Sequence, residues 1–298
     1  MFVNTQAGKW LKFIVGIAYI GLFIMIAGTL FRYFSEFLKI IYFKETPIIL
    51  IMLIFLVGTV IANRIGFRAI SHAALAIVPI VLISMLVIFV STAESFNVNQ
   101  LFPIFGYGIN ESFLSGISNV FAFGGIAFLY FLMPFLKSTK NFKKISVIAI
   151  IISSIYLLLS VVSLLLVFSF ISDTDLALSI YSLTRKIEYG RFFQRTDALF
   201  ILLWILLIFT YLSTILAFCL NIFKKISNIT NTKAMTYCFA LLLFAVGLVC
   251  KNTAITQYIK KDVYKYYEII LVFVVSMLIL ILGNIKYRKK HKLAKGGS

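Results

Sequence analysis

Acidic residues are scarce in this chain: 10 Asp and Glu stand against 28 Lys and Arg in 298 residues, and charged residues of both signs make up only 13%. A soluble domain usually carries about 25%. With 62% hydrophobic residues and a mean hydropathy of +1.05, so little charge excludes a water-soluble enzyme and makes the bilayer the chain's main solvent. Cysteines number three, Cys219, Cys238 and Cys250, all inside apolar runs. That odd count gives neither a disulfide framework nor a zinc-ligand spacing. Only His72 and His291 are available as histidines, so a Ser-His-Asp set or paired metal-ligand histidines cannot be assembled. A glycine-rich phosphate loop followed by Lys and Ser/Thr is also missing. The sequence therefore calls for no enzyme and no cofactor. The net charge of +18 does not indicate nucleic acid, because the basic residues fall in short clusters between apolar runs.

What is present is a series of long apolar segments. About 20 such residues cross about 30 Å of hydrocarbon, and eight segments qualify, near residues 11–33, 46–63, 70–91, 114–136, 146–170, 198–222, 234–250 and 266–285. Strict alternation is absent and runs such as Leu157 to Leu166 are apolar on nearly all sides, which predicts helices rather than a barrel. The expected fold is an all-α integral membrane protein with eight transmembrane helices. Sorting the loops by Lys and Arg puts 17 on one side and 11 on the other when both ends share a side, so both termini are expected to be cytoplasmic. Between Thr92 and Phe113 there is no Lys or Arg, whereas the next loop holds Lys137, Lys140, Lys143 and Lys144. The first apolar run is too long for a cleavable leader and has no small-residue cleavage site after it.

Three segments carry unusual chemistry. The fourth span combines Ser115, Gly116, Ser118 and Asn119 with Phe123, Gly124 and Gly125. Such density of small and polar residues serves either close helix packing or a broken helix whose free backbone groups bind a ligand. In the sixth span, Ser213 and Thr214 are a weak sodium candidate, the alternative being hydroxyls that bond carbonyls one turn back. The polar stretch Ser172 to Asp197 places Leu176, Ile180, Leu183 and Ile187 on one helical face, predicting an amphipathic surface helix. The mid-depth parts of the proposed spans lack Asp, Glu, Lys and Arg, which argues against a buried proton relay.

Several stretches together resemble one family. "AGKWLKFIVGIAYIGLF", "FSEFLKIIYFKETPIILIM", "FNVNQLFPIFGYGINESFLSG", "FAFGGIAFLYFLMPFL" and above all "YGRFFQRTDALFILLWILLIFTYLS" are similar to the B subunits of spore germinant receptors, the endospore germination permeases. That family is related to the amino acid, polyamine and organocation transporters. The resemblance implies a ten-helix fold of two inverted five-helix repeats, of which this chain would hold an incomplete set. Residues 1–91 would be helices three to five, residues 114–285 helices six to ten, and residues 286–298 a basic cytoplasmic tail. Members usually begin with two helices that this chain lacks, which predicts either weakened ligand binding or a gap filled by another polypeptide or a second copy. Also implied are the spore inner membrane, A and C receptor subunits as partners, and a small germinant, an amino acid or a sugar, as ligand. The expected function is a permease-like B subunit that senses such a solute to trigger germination. The alternatives are a secondary transporter of amino acids or similar solutes and a truncated structural or regulatory partner. The ligand is expected at Ser115, Asn119, Phe123, Gly124, Gly125 and Phe128, with Tyr19 and Trp204 from other spans. Two positions depart from the pattern: Gly125 stands where an acidic residue often follows the glycine, and Gln194 where a Glu often precedes the Arg.

Overall fold

The computed structural model describes residues 6–102, 108–118, 125–136, 141–168, 176–185, 196–229, 231, 233–250, 256 and 265–281. Among them no strand occurs. The helices are α1 (Gln6–Ile41), α2 (Ile48–Ile65), α3 (Phe67–Ser91), α4 (Ile109–Ser118), α5 (Ile126–Leu132), α6 (Phe142–Val167), α7 (Leu176–Arg185), α8 (Thr196–Ser227), α9 (Lys233–Val249) and α10 (Lys265–Glu268). From α10 the chain continues directly into a π-helical segment, Ile269–Val275. Among the described residues five helices are long and apolar enough to cross a membrane: Gly8–Ile41, Ile48–Ile65, Phe67–Ser95, Phe142–Val167 and Asp197–Ser227. Lys233–Val249 and Tyr266–Ile281 are apolar but shorter. The segment expected as a single fourth span contains two separate helices, α4 and α5, with residues 119–124 outside the described set.

The chain forms two compact units. The first comprises Met1–Glu36, Ser118–Phe131 and Ile215–Ser298. Its core is built on one side of α1, where Leu22, Phe23, Ala27, Phe31 and Phe34 are buried, together with Phe218 and Cys219 of α8 and Leu243 of α9. Helix α1 approaches its neighbours closely because it carries glycine at the contacts. A Cβ added at Gly28 would lie 2.6 Å from Val246 Cγ1 and 3.2 Å from the Leu243 carbonyl oxygen. This is the small-residue device by which membrane helices gain packing contacts when no hydrophobic force draws them together.

The second unit comprises Phe37–Ile117 and Leu132–Thr214. Its first two spans are joined by one residue, Gly66, at φ 118°, a left-handed backbone that glycine alone adopts readily. Asn63 Nδ2 ties α2 to α8 by donating to the Ser213 carbonyl at 3.0 Å, and the Tyr156 hydroxyl ties α6 to α3 by donating to the Leu82 carbonyl at 3.0 Å. Helix α7 forms where the apolar spacing predicts it. Ile180, Tyr181, Leu183 and Thr184 are buried and Ser182 and Arg185 are exposed, while Ile187 lies outside the described residues. Tyr181 donates to Asp197 Oδ2 at 3.3 Å; burial and then that carboxylate push its phenol above the ordinary value.

Gly28→Ala gains helix propensity of about 1 kcal/mol, but it must displace Val246, and overpacking of this kind costs about 1–3 kcal/mol. We expect a net loss of thermal stability in detergent. Gly116→Ala, whose added Cβ meets nothing within 4 Å, should be neutral or slightly stabilising in the same unfolding measurement.

Candidate functional site

An aromatic cluster in the first unit surrounds Tyr19. Tyr19 and Phe23 are four residues apart on α1 and so share a face. The Tyr19 ring meets Phe131 edge-on at 4.9 Å, and Phe23 stacks on Phe128 at 5.6 Å and meets Phe131 at 5.3 Å. Phe218 of α8 closes the group, 5.6 Å from Phe128 and 6.2 Å from Phe23. Above the rings lies the π-helix. The Tyr19 hydroxyl donates to the Leu271 carbonyl at 2.8 Å and lies 2.6 Å from Ser276 Oγ. Ser276 Oγ lies 3.3 Å from the same Leu271 carbonyl, so the two hydroxyls share one acceptor and either can donate to the other. Tyr130 of α5 donates to the next carbonyl, Val272, at 3.2 Å. Two consecutive backbone carbonyls of a π-helix are thus each met by a tyrosine hydroxyl, and π turns inside helices occur frequently at functional sites.

The expected site residues fall as follows. Tyr19 is buried and Phe128 half-buried, and both belong to this cluster. Gly125 is an exposed turn residue just before α5, and a Cβ added to it meets nothing within 4 Å. Asn119, Phe123 and Gly124 lie outside the described residues, as does the side chain of Ser115, whose backbone is in α4. Trp204 belongs to the second unit. There it packs against Phe37 at 5.2 Å and Phe200 at 5.1 Å, beside a shallow apolar groove lined by Val81, Ser84, Met85, Ile88 and Leu203. The hydroxyls of Ser213 and Thr214 donate to the carbonyls of Phe209 and Thr210, both at 2.8 Å, which is the back-bonding alternative for these two residues. Among the described residues no group of three or more His, Cys, Asp and Glu is placed to hold a metal.

Two features escape a reading of composition. Helix α1 runs beyond residue 33, where its span was expected to end, and Arg32 and Glu36 therefore lie inside a helix. They form an ion pair at 2.8 Å with side chains only 11% and 12% exposed. Their spacing of four residues is a helical ion-pair signal that the sequence does carry. Tyr130 and Ser276 gave no such signal, because their role depends on the π turn.

A helical membrane protein with a hydroxyl-lined π segment is the class these observations define. A family model described as spore germination protein matches residues 1–256, and the chain belongs to that family. It is similar to spore germination protein YndE of Bacillus subtilis (strain 168), 25% identical over 291 residues, covering 95% of this chain and 77% of that protein. Spore germination protein A2 of the same organism is 23% identical over 78% of this chain, and spore germination protein KB is 26% identical over 67%. The chain spans 64% and 55% of the lengths of those two proteins. No solved structure matches. The protein is therefore a membrane protein of spore germination.

The hydroxyl network yields a measurable coupling. Tyr19→Phe leaves the Leu271 carbonyl with the Ser276 hydroxyl at 3.3 Å, and loss of a buried partner costs about 1–3 kcal/mol. In a double-mutant cycle with Ser276→Ala, unfolding in detergent should give a coupling of about 0.5 kcal/mol or more; additive effects would show that the two hydroxyls act independently.

Proposed function

We propose that this protein is a permease-like B subunit of a spore germinant receptor that senses an amino acid or a small sugar, acting by binding and without turnover. The observation that carries this reading is the aromatic cluster of Tyr19, Phe23, Phe128, Phe131 and Phe218 beneath two hydroxyl-capped carbonyls, within a chain of the germination family. Ring faces attract an ammonium group and carbonyl and hydroxyl oxygens accept its protons. The carboxylate of a zwitterion, or the hydroxyls of a sugar, is assigned to the glycine-containing stretch of Asn119, Phe123, Gly124 and Gly125. Tyr19 and Phe128 are the contact residues on the described helices.

The same reading includes the ten-helix inverted-repeat framework, with residues 1–91 supplying helices three to five and 114–285 helices six to ten. It also includes the spore inner membrane, A and C receptor subunits as partners, and cytoplasmic termini. The relatives named for germination and the five long apolar helices support it.

Three experiments test it. A Cβ added at Gly125 meets nothing within 4 Å, so Gly125→Leu should fold and reach the membrane while spores need about tenfold more germinant. Phe128→Ala should shift the dose response in the same direction. Unchanged germinant sensitivity in both would defeat the binding assignment, and uptake of labelled solute by the purified protein in liposomes would replace the receptor with a transporter. For orientation, single cysteines at Ser138 should resist an impermeant thiol reagent applied to protoplasts, and labelling there would invert the topology.

A further inference from the structure

Three helix ends meet at one end of the first unit: the start of α1, the end of α8 and the start of α9. Their approach is enforced by packing. A Cβ added at Gly16 of α1 would lie 2.6 Å from Ile226 Cγ2 and 3.4 Å from Ile222 Cγ2 of α8. Phe223 of α8 meets Phe239 of α9 edge-on at 5.5 Å. Just beyond these contacts the three ends carry Lys9 and Lys12, Lys224 and Lys225, and Lys233. Lys12 Nζ donates to the backbone carbonyl of Lys225, which sets the two residues side by side, and their ammonium charges act on one another.

Nothing among the described residues neutralises this cluster. None of the five lysines pairs with an acidic side chain there, and the described acids (Glu36, Glu45, Glu94, Glu111, Asp197 and Glu268) lie on other parts of the chain. Only Lys224 and Lys225 are favourably placed against a helix dipole, in the last turn of α8. Lys9 and Lys233 stand in the first turns of α1 and α9, where the dipole favours an anion and opposes a cation. Five like charges gathered at one place, three of them exposed on α8 and α9, call for an external anion.

The adjoining surface says what kind of anion. Trp10, Phe13, Ile14 and Ile17 follow one another at spacings of three, one and three residues, so they form one face of α1. All four are exposed, Trp10 by 66% and Ile14 by 61%, and Trp10 meets Phe13 edge-on at 6.5 Å. An exposed Trp at the end of a membrane span sits at headgroup depth. A ligand fitting both surfaces is an amphiphile with a negative head and apolar chains.

We propose that this lysine cluster binds the headgroup of an anionic phospholipid, whose acyl chains run along the face of α1 formed by Trp10, Phe13, Ile14 and Ile17. The phosphate is held by Lys12 and Lys225, with Lys9, Lys224 and Lys233 around it. Clusters of basic side chains between membrane helices bind anionic headgroups in this way. The assignment is independent of the germinant reading, since it uses none of the residues placed at the ligand.

The test is lipid binding by the full-length purified chain in detergent, read by native mass spectrometry and by titration with fluorescent phosphatidylglycerol. Phosphatidylglycerol should be retained where phosphatidylcholine is lost. Each lysine removed should weaken it about fivefold, so Lys224→Gln/Lys225→Gln should lose roughly twenty-five-fold while keeping its gel-filtration profile. The Lys12 bond uses the Lys225 backbone and survives that change. Should this variant aggregate, Lys9→Gln/Lys233→Gln, at exposed positions, must give the same loss. Lys143→Gln/Lys144→Gln, on α6 of the second unit, should have no effect. Equal retention of both lipids, or unchanged affinity in the lysine variants, would overturn the proposal. Full displacement by millimolar glycerol phosphate would replace the lipid with a soluble anion and overturn it equally, as would capture of an acidic protein segment in preference to lipid.

Discussion

In hydrocarbon a backbone carbonyl or amide that loses its partner finds no water to replace it, and each such loss costs several kcal/mol. That constraint decides where the polar side chains of this protein go. Ser71, Ser84, Ser154, Ser160, Thr210, Ser213 and Thr214 all return their hydroxyls to the carbonyl four residues back, at 2.7–2.9 Å. The rarer long-range bonds then stand out. Asn63 reaches the Ser213 carbonyl, Tyr156 that of Leu82, and Tyr19 and Tyr130 those of Leu271 and Val272. In each case an amide or phenol on one helix attends to a carbonyl on another, and these bonds fix register between helices more firmly than apolar contacts do. Thr59 is an exception, its hydroxyl buried and without a hydrogen-bond partner.

Hydropathy made the long helices readable. The apolar stretches from residues 46, 70, 146 and 198 correspond to α2, α3, α6 and α8 within a few residues, because the bilayer rewards a continuous run of about 20 apolar residues and little else. It was less informative about ends. Helix α1 passes residue 33 because Arg32 and Glu36 neutralise one another within the helix, so charge did not terminate it. Membership in the germination family was legible from several short motifs in order, although identity to the relatives is only 23–26%.

The aromatic cluster around Tyr19 was legible in part. Tyr19 and Phe128 were expected on resemblance and share one aromatic cluster with Phe23 and Phe131, which a strict reading of periodicity assigns to core. Tyr130 and Ser276 were not foreseen, since a π turn leaves no mark in composition: it inserts a residue into the helical phase, and the stripe of residues before Ile269 no longer lines up with the stripe after Val275. What distinguishes those residues is geometry that neighbouring helices impose, not any property of the local sequence.

The joint at Gly66 has a mechanical meaning. Helix α2 ends at Ile65 and α3 begins at Phe67, so the two spans share a single residue between them. The Gly66 amide is bonded back to Ala62 and its carbonyl onward to Ala69 and Ile70, leaving only its own two dihedral angles free. A joint with no slack lets the pair fold or splay about one point but forbids either helix from sliding along the other, so an axial displacement of α2 must be carried undiminished into α3.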